Sequence, residues 1–248
     1  MSLSLSVFVP AYNEEKNLLH CVDAVMDKLT ELQIAHEVLI IDDGSQDKTG
    51  EIAQQLSAAR ANVRVIHHRK NSGIGAAFVT AIKNGRGEWL ILIPADLALE
   101  PNEIHRYIEA APDADIVVGL RTDQSDYTIL RKIVSWTNIK LVQLLFGMKE
   151  RQFQYISMYR LSVLRQMDIE YWRSAFFHAE VLIKAKGLGR KLVEVEIKYA
   201  PRVSGKPTGA RLKLILLTVR DLFHFWMRWR RLGPIRASKS HTIVSVEE

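Results

Sequence analysis

The sequence predicts an α/β fold, a mainly parallel sheet flanked by helices, and three observations carry that prediction. Short apolar, β-branched runs alternate with amphipathic stretches through the first half of the chain, the pattern of strands joined by helical crossovers. Polar clusters stand at the ends of three of those runs, where an open parallel sheet gathers its ligand-binding loops. The 248 residues are 48% hydrophobic and 25% charged, a composition that buries a core and does not suit a disordered chain.

Strands are expected at 5–9, 38–41, 63–66, 89–93 and 115–118, each a run rich in Val, Ile, Leu or Phe. Helices are expected between them at 14–30, 49–59, 75–84 and 102–110. In the first, Leu18, Val22, Val25, Met26 and Leu29 recur at helical spacing and mark the buried face. The second half differs: a long amphipathic segment at 128–146, a short helix at 180–186 and an alternating strand at 193–199. A polar loop at 201–208 leads to a basic, aromatic helix at 211–231. No linker or internal repeat separates the halves. We read residues 1–210 as one domain, 211–236 as a basic amphipathic helix suited to a membrane interface, and 237–248 as a disordered tail.

The formal net charge of +6 favours polyanionic partners such as phosphorylated ligands or acidic lipid headgroups. No nucleic-acid-binding motif accompanies it, and no nucleic-acid partner is expected. The single cysteine, Cys21, excludes an internal disulfide and a Cys-pair metal site and suits a reducing, cytoplasmic compartment. Residues 1–10 lack the positive flank and cleavage site of a signal peptide and read as a first strand. No apolar run approaches the roughly 20 residues that span a bilayer. Arg220 and Asp221 interrupt 214–227, and Asn138, Lys140 and Gln143 interrupt 133–148. A peripheral position on the inner face of a membrane is therefore expected, with the tryptophans of 211–231 at headgroup depth and its arginines on an anionic surface. A homo-oligomer or a membrane-protein partner is the alternative use of that helix.

The polar clusters are Ala11-Tyr12-Asn13-Glu14, Asp42-Asp43-Gly44-Ser45 and Ala95-Asp96. A carboxylate such as Asp43 at a strand end can accept an N–H of a nucleobase, while Asp42 or Glu14 can meet ribose or base donors. The plainer reading is a turn in which Ser45 or Asp47 caps the next helix. Gly73-Ile74-Gly75 is not a dinucleotide-binding turn, because Phe78 stands where a third small residue is needed and no strand directly precedes it.

Five motifs in order resemble the family 2 inverting glycosyltransferases, most nearly the dolichyl- or polyprenyl-phosphate sugar synthases. They are Val9-Pro10-Ala11-Tyr12-Asn13-Glu14-Glu15, then 41–49 with Asp42-Asp43-Gly44-Ser45, then Asn71-Ser72-Gly73-Ile74-Gly75, Val118-Gly119-Leu120-Arg121 and the 202–206 loop. The resemblance spans roughly residues 3–210. It implies a GT-A type nucleotide-sugar-binding fold, a nucleotide-diphosphate sugar donor and a polyprenyl phosphate or other lipid acceptor. By the same resemblance Pro10, Tyr12, Asn13, Glu14, Asp42, Asp43 and Gly73 bind the nucleotide, and the Gly73 loop closes over it. Asp96 matches the last acid of the D-x-D-like element and would hold Mg²⁺ or Mn²⁺. Arg121, Arg131, Arg202 and Lys206 would hold phosphates, with Asp96, Arg131 and Arg202 taking part in catalysis.

The chain departs from the pattern in two places. Pro94-Ala95-Asp96-Leu97-Ala98 stands where the lipid-phosphate branch has Asp-Ala-Asp-Leu-Gln, so Asp96 is the one protein ligand assigned and a weakly held metal is expected. At 151–156, Tyr155 and Ile156 would crowd the wall near the sugar. A phosphate acceptor is already anionic and needs cations more than a base, whereas a hydroxyl acceptor would need one, for which Glu180 is the candidate. The readings are transfer to polyprenyl phosphate, transfer to a lipid or saccharide hydroxyl, or a nucleotide-binding partner that has lost catalysis.

Overall fold

The computed structural model describes residues 3–123, 127–198 and 212–234, the last with side chains from Leu214 onward. Six consecutive residues of β2 (Ala35–Asp42), the middle four of them apolar, and most of β1 (Ser4–Ala11) are buried. Such strands are covered on both faces, which requires the interior of a parallel sheet. β3 (Val63–His67) and β4 (Trp89–Leu92) complete the parallel half, separated by α1 (Leu18–Glu31), α2 (Thr49–Ala59) and α3 (Ile74–Asn84). α4 (Ile104–Ala110) leads to β5 (Ile116–Arg121) and α5 (Ile129–Phe146). β6 (Ser157–Arg160), α6 (Leu161–Leu164), α7 (Phe177–Gly187), β7 (Leu192–Ile197) and α8 (Leu212–Leu232) follow.

The seven strands form one sheet in the order β3-β2-β1-β4-β6-β5-β7. Pairs are parallel except those of β6, which runs antiparallel between β4 and β5. Pairing of Ala11 with Asp42, and of Asp42 with His67, lines up the carboxyl ends of β1, β2 and β3 on one rim. From β1 the chain winds out to β2 and β3, then returns to place β4 on the other side of β1. The crevice beyond the ends of β1 and β4 is thus the switch point where such sheets bind ligands.

The five expected strands and the helices between them are present with shifted ends. The first helix starts at Leu18 because 14–17 form a turn closed by Leu18 N–H to the Glu14 carbonyl, 2.9 Å. β6 was not among the expected strands: four residues are too short to display alternation. α7 starts at Phe177, three residues before the expected position, and is buried nearly all round, so it lacks the amphipathic period by which surface helices are recognised. Gly75 lets the start of α3 approach 172, since a Cβ there would lie 2.0 Å from the Trp172 carbonyl oxygen.

α5 is capped by Thr128, whose hydroxyl accepts the Arg131 N–H at 3.2 Å, and it ends at Gly147 in the left-handed region. Only Val142 of this helix is fully buried, while Ile129, Leu130, Ile133, Trp136 and Leu144 are exposed. α8 is docked rather than merely appended: Leu222 and Phe225 are wholly buried, and Phe225 packs on Phe146, Tyr171, Phe176 and Trp229. Arg228 pairs with Glu170, which also meets Lys184 of α7 at 2.8 Å. The expected tail at 237–248 lies outside the described residues. Among the described residues no helix is long and apolar enough to cross a membrane.

Candidate active site

The rim is built from two loops that hold each other. Asn13 N–H donates to Ser45 Oγ at 3.0 Å, and Asn13 Oδ1 accepts the Gln46 N–H at 2.9 Å. Glu14 N–H donates to Thr49 Oγ1 at 2.7 Å, and Asp47 Oδ1 accepts the Thr49 N–H at 2.9 Å. Asn13 takes a positive φ of 57°, and Gly44 one of 72°, where a Cβ would also lie 2.7 Å from the Lys70 backbone. Both positions suit Asn and Gly for that reason. Tyr12 is left with an exposed ring at the lip.

Asp42 and Asp43 are both buried. Asp42 Oδ1 accepts the Ser45 N–H at 3.0 Å, and its other oxygen meets His67 Nδ1 at 2.8 Å. Asp43 ties the rim to a third loop, accepting the N–H groups of Ser72 (3.0 Å) and Gly73 (2.7 Å). His68 Nδ1 lies 2.7 Å from the Asp43 carboxylate, and its Nε2 lies 2.9 Å from Thr80 Oγ1 of α3. These bonds occupy nearly all the acceptor capacity of one carboxylate. Asp43 therefore acts first as the holder of the Gly73 loop, where direct contact with a base was expected. His68, which orients it, and Thr80, which holds His68, went unnoticed in the sequence because their partners lie 25 and 12 residues away.

Beyond this rim, a cavity of about 240 Å³ is lined by Ile74, Pro94, Ala98, Arg121, Tyr127, Arg131, Tyr155 and His178 among others. Arg121, at the end of β5, is almost fully buried, and Gln152 brackets its backbone with two hydrogen bonds of 2.9 Å. The Arg121 and Arg131 guanidinium carbons lie 4.9 and 3.8 Å from the centroid of the Tyr127 ring. One aromatic residue thus gathers two cations that are ten residues apart in sequence. Tyr155 and Ile156 line this cavity too. Arg202 and Lys206 lie outside the described residues. His178 also lines the cavity, and burial lowers its pKa to about 4, so a neutral imidazole faces the site at ordinary pH. His178 stands two residues before Glu180, and nothing in the sequence around it signalled a place in the site.

Glu180 is not a base. Its carboxylate is fully buried, meets Lys184 at 2.7 Å, and accepts the N–H groups of Glu170 (2.9 Å) and Tyr171 (3.0 Å). Burial raises its pKa, while Lys184 and the two amides oppose that rise. Its work is to join α7 to the 168–171 segment. Cys21 is equally inert: burial, with the charges of Asp96 and Glu14 close by, raises its thiol to about 12.

Asp96 sits in a tight turn after β4, with Oδ1 accepting the Ala98 N–H at 3.1 Å and Leu97 at a positive φ of 53°. Among the described residues no three His, Cys, Asp or Glu side chains converge to form a metal cage. A carboxylate beside a cavity lined by two arginines still fits Mg²⁺ or Mn²⁺, which commonly bind through one or two carboxylates with phosphate oxygens and water.

Comparison with known proteins agrees with this geometry. Residues 6–182 match the Glycosyl transferase family 2 pattern. An undecaprenyl-phosphate mannosyltransferase of Micrococcus luteus is 28% identical over 208 residues, covering 80% of this chain and 84% of that protein. An undecaprenyl-phosphate 4-deoxy-4-formamido-L-arabinose transferase of Edwardsiella ictaluri is 30% identical over 217 residues, covering 86% of this chain but 65% of the relative, under two thirds of its length. Among solved structures, mannosyl-3-phosphoglycerate synthase from Rubrobacter xylanophilus superposes with a TM-score of 0.70 at 14% identity, over 93% of this chain and 75% of that one. Glucosyl-3-phosphoglycerate synthase from Mycobacterium tuberculosis, whose complexes include one with Mn²⁺ and uridine-diphosphate-glucose, does so with a TM-score of 0.66 at 15% identity, over 90% and 79%. Those two likenesses concern the fold. The sheet, its rim loops and a family pattern that runs from β1 into α7 lead to one identification: the chain belongs to glycosyl transferase family 2.

Proposed function

We propose that the protein transfers a sugar from a nucleotide-diphosphate donor to a polyprenyl phosphate at the inner face of a membrane. The pairing of Arg121 and Arg131 around Tyr127, beside the rim loops, is the observation that carries this reading. Donor diphosphate and acceptor phosphate are both anions, and holding them together requires fixed cations at close range in a partly dry cavity. The acceptor preference is supported by the two undecaprenyl-phosphate transferases to which the chain is similar.

In this scheme the nucleotide lies across Pro10, Tyr12, Asn13, Glu14 and Asp42, with the Gly73 loop drawn over it by Asp43. The acceptor phosphate attacks the anomeric carbon in line, inverting it, and the nucleoside diphosphate leaves. No base is needed, in keeping with the engagement of Glu180 elsewhere. Arg121 and Arg131 orient the phosphates, and Arg202 and Lys206 are proposed to join them. A divalent ion at Asp96 would neutralise charge on the departing diphosphate.

The test incubates purified protein with a panel of radiolabelled nucleotide sugars and polyprenyl phosphate, with Mg²⁺ or Mn²⁺ or with excess chelator. Label is expected in the lipid fraction for one sugar, with Arg131→Ala lowering kcat/KM roughly a hundredfold. Nucleotide sugar that binds but never donates overturns the transferase reading. Turnover that is equal in chelator removes the metal role from Asp96.

A further inference from the structure

We propose that His178 is a specificity-determining residue, its ring hydrogen-bonding a hydroxyl of the sugar that is transferred. This rests on the transferase reading above and adds to it a side chain that reads the sugar. Such a sugar must lie between the departing diphosphate and the attacking phosphate. The cavity of about 240 Å³ occupies that interval, bounded by Ile74 after the Gly73 loop, by Pro94 and Ala98 around the Asp96 turn, and by Arg121 and Arg131. Pockets for drug-sized ligands run from about 300 Å³ upward, so this one suits a single sugar ring.

His178, on the first turn of α7, stands in the wall where this cavity meets a second hollow of about 250 Å³; Tyr127, Arg131, Gln154 and Tyr155 line both as well. Among the described residues no group hydrogen-bonds either of its ring nitrogens, and neither is one of the sealed, unpaired polar atoms of the interior. His68 differs, since both its nitrogens are engaged, by Asp43 at 2.7 Å and by Thr80 at 2.9 Å. The ring of His178 lies against that of Phe177, with centroids 3.8 Å apart, and Phe177 packs on Phe78 of α3. Packing thus fixes the imidazole and leaves its polar atoms to a ligand.

The state of the ring decides what it can meet. Burial keeps it neutral at ordinary pH, with a pKa of about 4, so it carries one N–H donor and one acceptor nitrogen. A group of so low a pKa takes up a proton poorly near neutrality, and a phosphate acceptor does not require it to. Phosphate oxygens are served by the fixed charges of Arg121 and Arg131, and a phosphate dianion has no proton to give an acceptor nitrogen. A hydroxyl suits either nitrogen, because it both donates and accepts. Ile74, Phe78, Leu92 and Pro94 offer no such partner elsewhere on the wall. A sugar that lacks the matching hydroxyl leaves the ring nitrogen unpaired, the cost by which a hydrogen-bonding site rejects the wrong substrate.

Ring-nitrogen NMR signals of the wild-type protein with isotope-labelled histidine test this directly, His178 being assigned from the spectrum of His178→Gln. UDP-glucose or GDP-mannose, whichever binds, should fix one tautomer of His178, while UDP or GDP alone should leave its signals where the free protein has them. For the sugar that is transferred, His178→Phe should lower kcat/KM roughly tenfold, and His178→Gln less than about threefold. Among monodeoxy analogues of that donor, one should react equally well with wild type and with His178→Phe. Signals that move as far with the nucleoside diphosphate alone assign the ring to phosphate and overturn the proposal. So does a loss that persists for every deoxy analogue, or a His178→Gln variant as impaired as His178→Phe, since an amide can hydrogen-bond but cannot carry a proton. If no nucleotide sugar is transferred, the parent reading falls, and the ring signals on binding still decide the role of His178. Binding of no nucleotide sugar overturns both.

Discussion

Asp43 joins β2 to the loop that precedes α3, and its carboxylate is buried among donors from His68, Ser72 and Gly73. Removing it leaves two loop amides and an imidazole without their acceptor, each a cost of order 1 kcal/mol or more. Gly73 has a φ of 88°, a conformation the carboxylate helps hold. Asp43→Ala is therefore expected to weaken nucleotide binding by about 1–3 kcal/mol, through loss of the closed loop as much as of any contact with the base. Calorimetric titration checks it, and an unchanged affinity would take both Asp43 and the Gly73 loop out of the site. Asp43 was recognisable in the sequence as a strand-end acid, but its partners were not, because a carboxylate in a motif says nothing about which distant amides reach it.

α8 shows the same division at the scale of an element. Its composition announced an amphipathic basic helix, yet two of its faces are apolar, one buried and one exposed. Leu222 and Phe225 are buried in the domain, and Arg228 is paired with Glu170, whereas Leu216, Val219, Phe223 and Met227 form an outward stripe. Deleting the chain after Gly209 would uncover Phe146, Tyr171 and Phe176 and forfeit roughly 1.5–3 kcal/mol for each large apolar side chain lost from the interior. Such a truncation reports on folding before it reports on membranes. Phe223→Glu combined with Met227→Glu is the cleaner change: sedimentation with anionic liposomes should fall several-fold while the melting temperature stays within a few degrees of wild type. Raised salt should weaken binding of the unaltered protein, since its arginine contribution is screened within about 8–10 Å. Pelleting of the double variant at the wild-type level would move the membrane contact to the exposed side chains of α5.

For the whole molecule, acid stability follows from buried groups in the second half. Burial lowers His178 from 6.5 to about 4, so the unfolded chain takes up this proton well before the folded one does. Its contribution is intact above about pH 6.5 and is lost as pH falls towards 4, at up to about 1 kcal/mol per unit. Glu170 acts in the same direction at lower pH: burial works to raise its pKa, but Arg228 and Lys184 prevail and hold it below the ordinary value of 4.5. Stability from that carboxylate is present above its unfolded pKa and disappears as acid protonates it. Urea denaturation at a series of pH values should show stability falling between about 6.5 and 4, with His178→Gln flattening that slope. A slope that survives the substitution would show that the fall belongs to other groups.

Sequence alone determined the parallel half of the molecule, because strands and crossover helices there write their periods locally: continuous apolar runs for β1 and β2, a 3.6-residue stripe for α1. It also determined which rim residues carry charge, and the family to which their order belongs. Tertiary structure decided the rest. Antiparallel β6 is defined by the neighbours it slips between, α7 is buried on all sides and so has no periodic signature, and the Glu180–Lys184 pair removes an apparent base by giving it a partner. The cavity that Arg121 and Arg131 share with His178, and its continuation towards Leu214 of α8, depend on contacts between segments far apart in the chain. Local chemistry fixes what a residue can do, but only packing chooses which of its faces is left to do it.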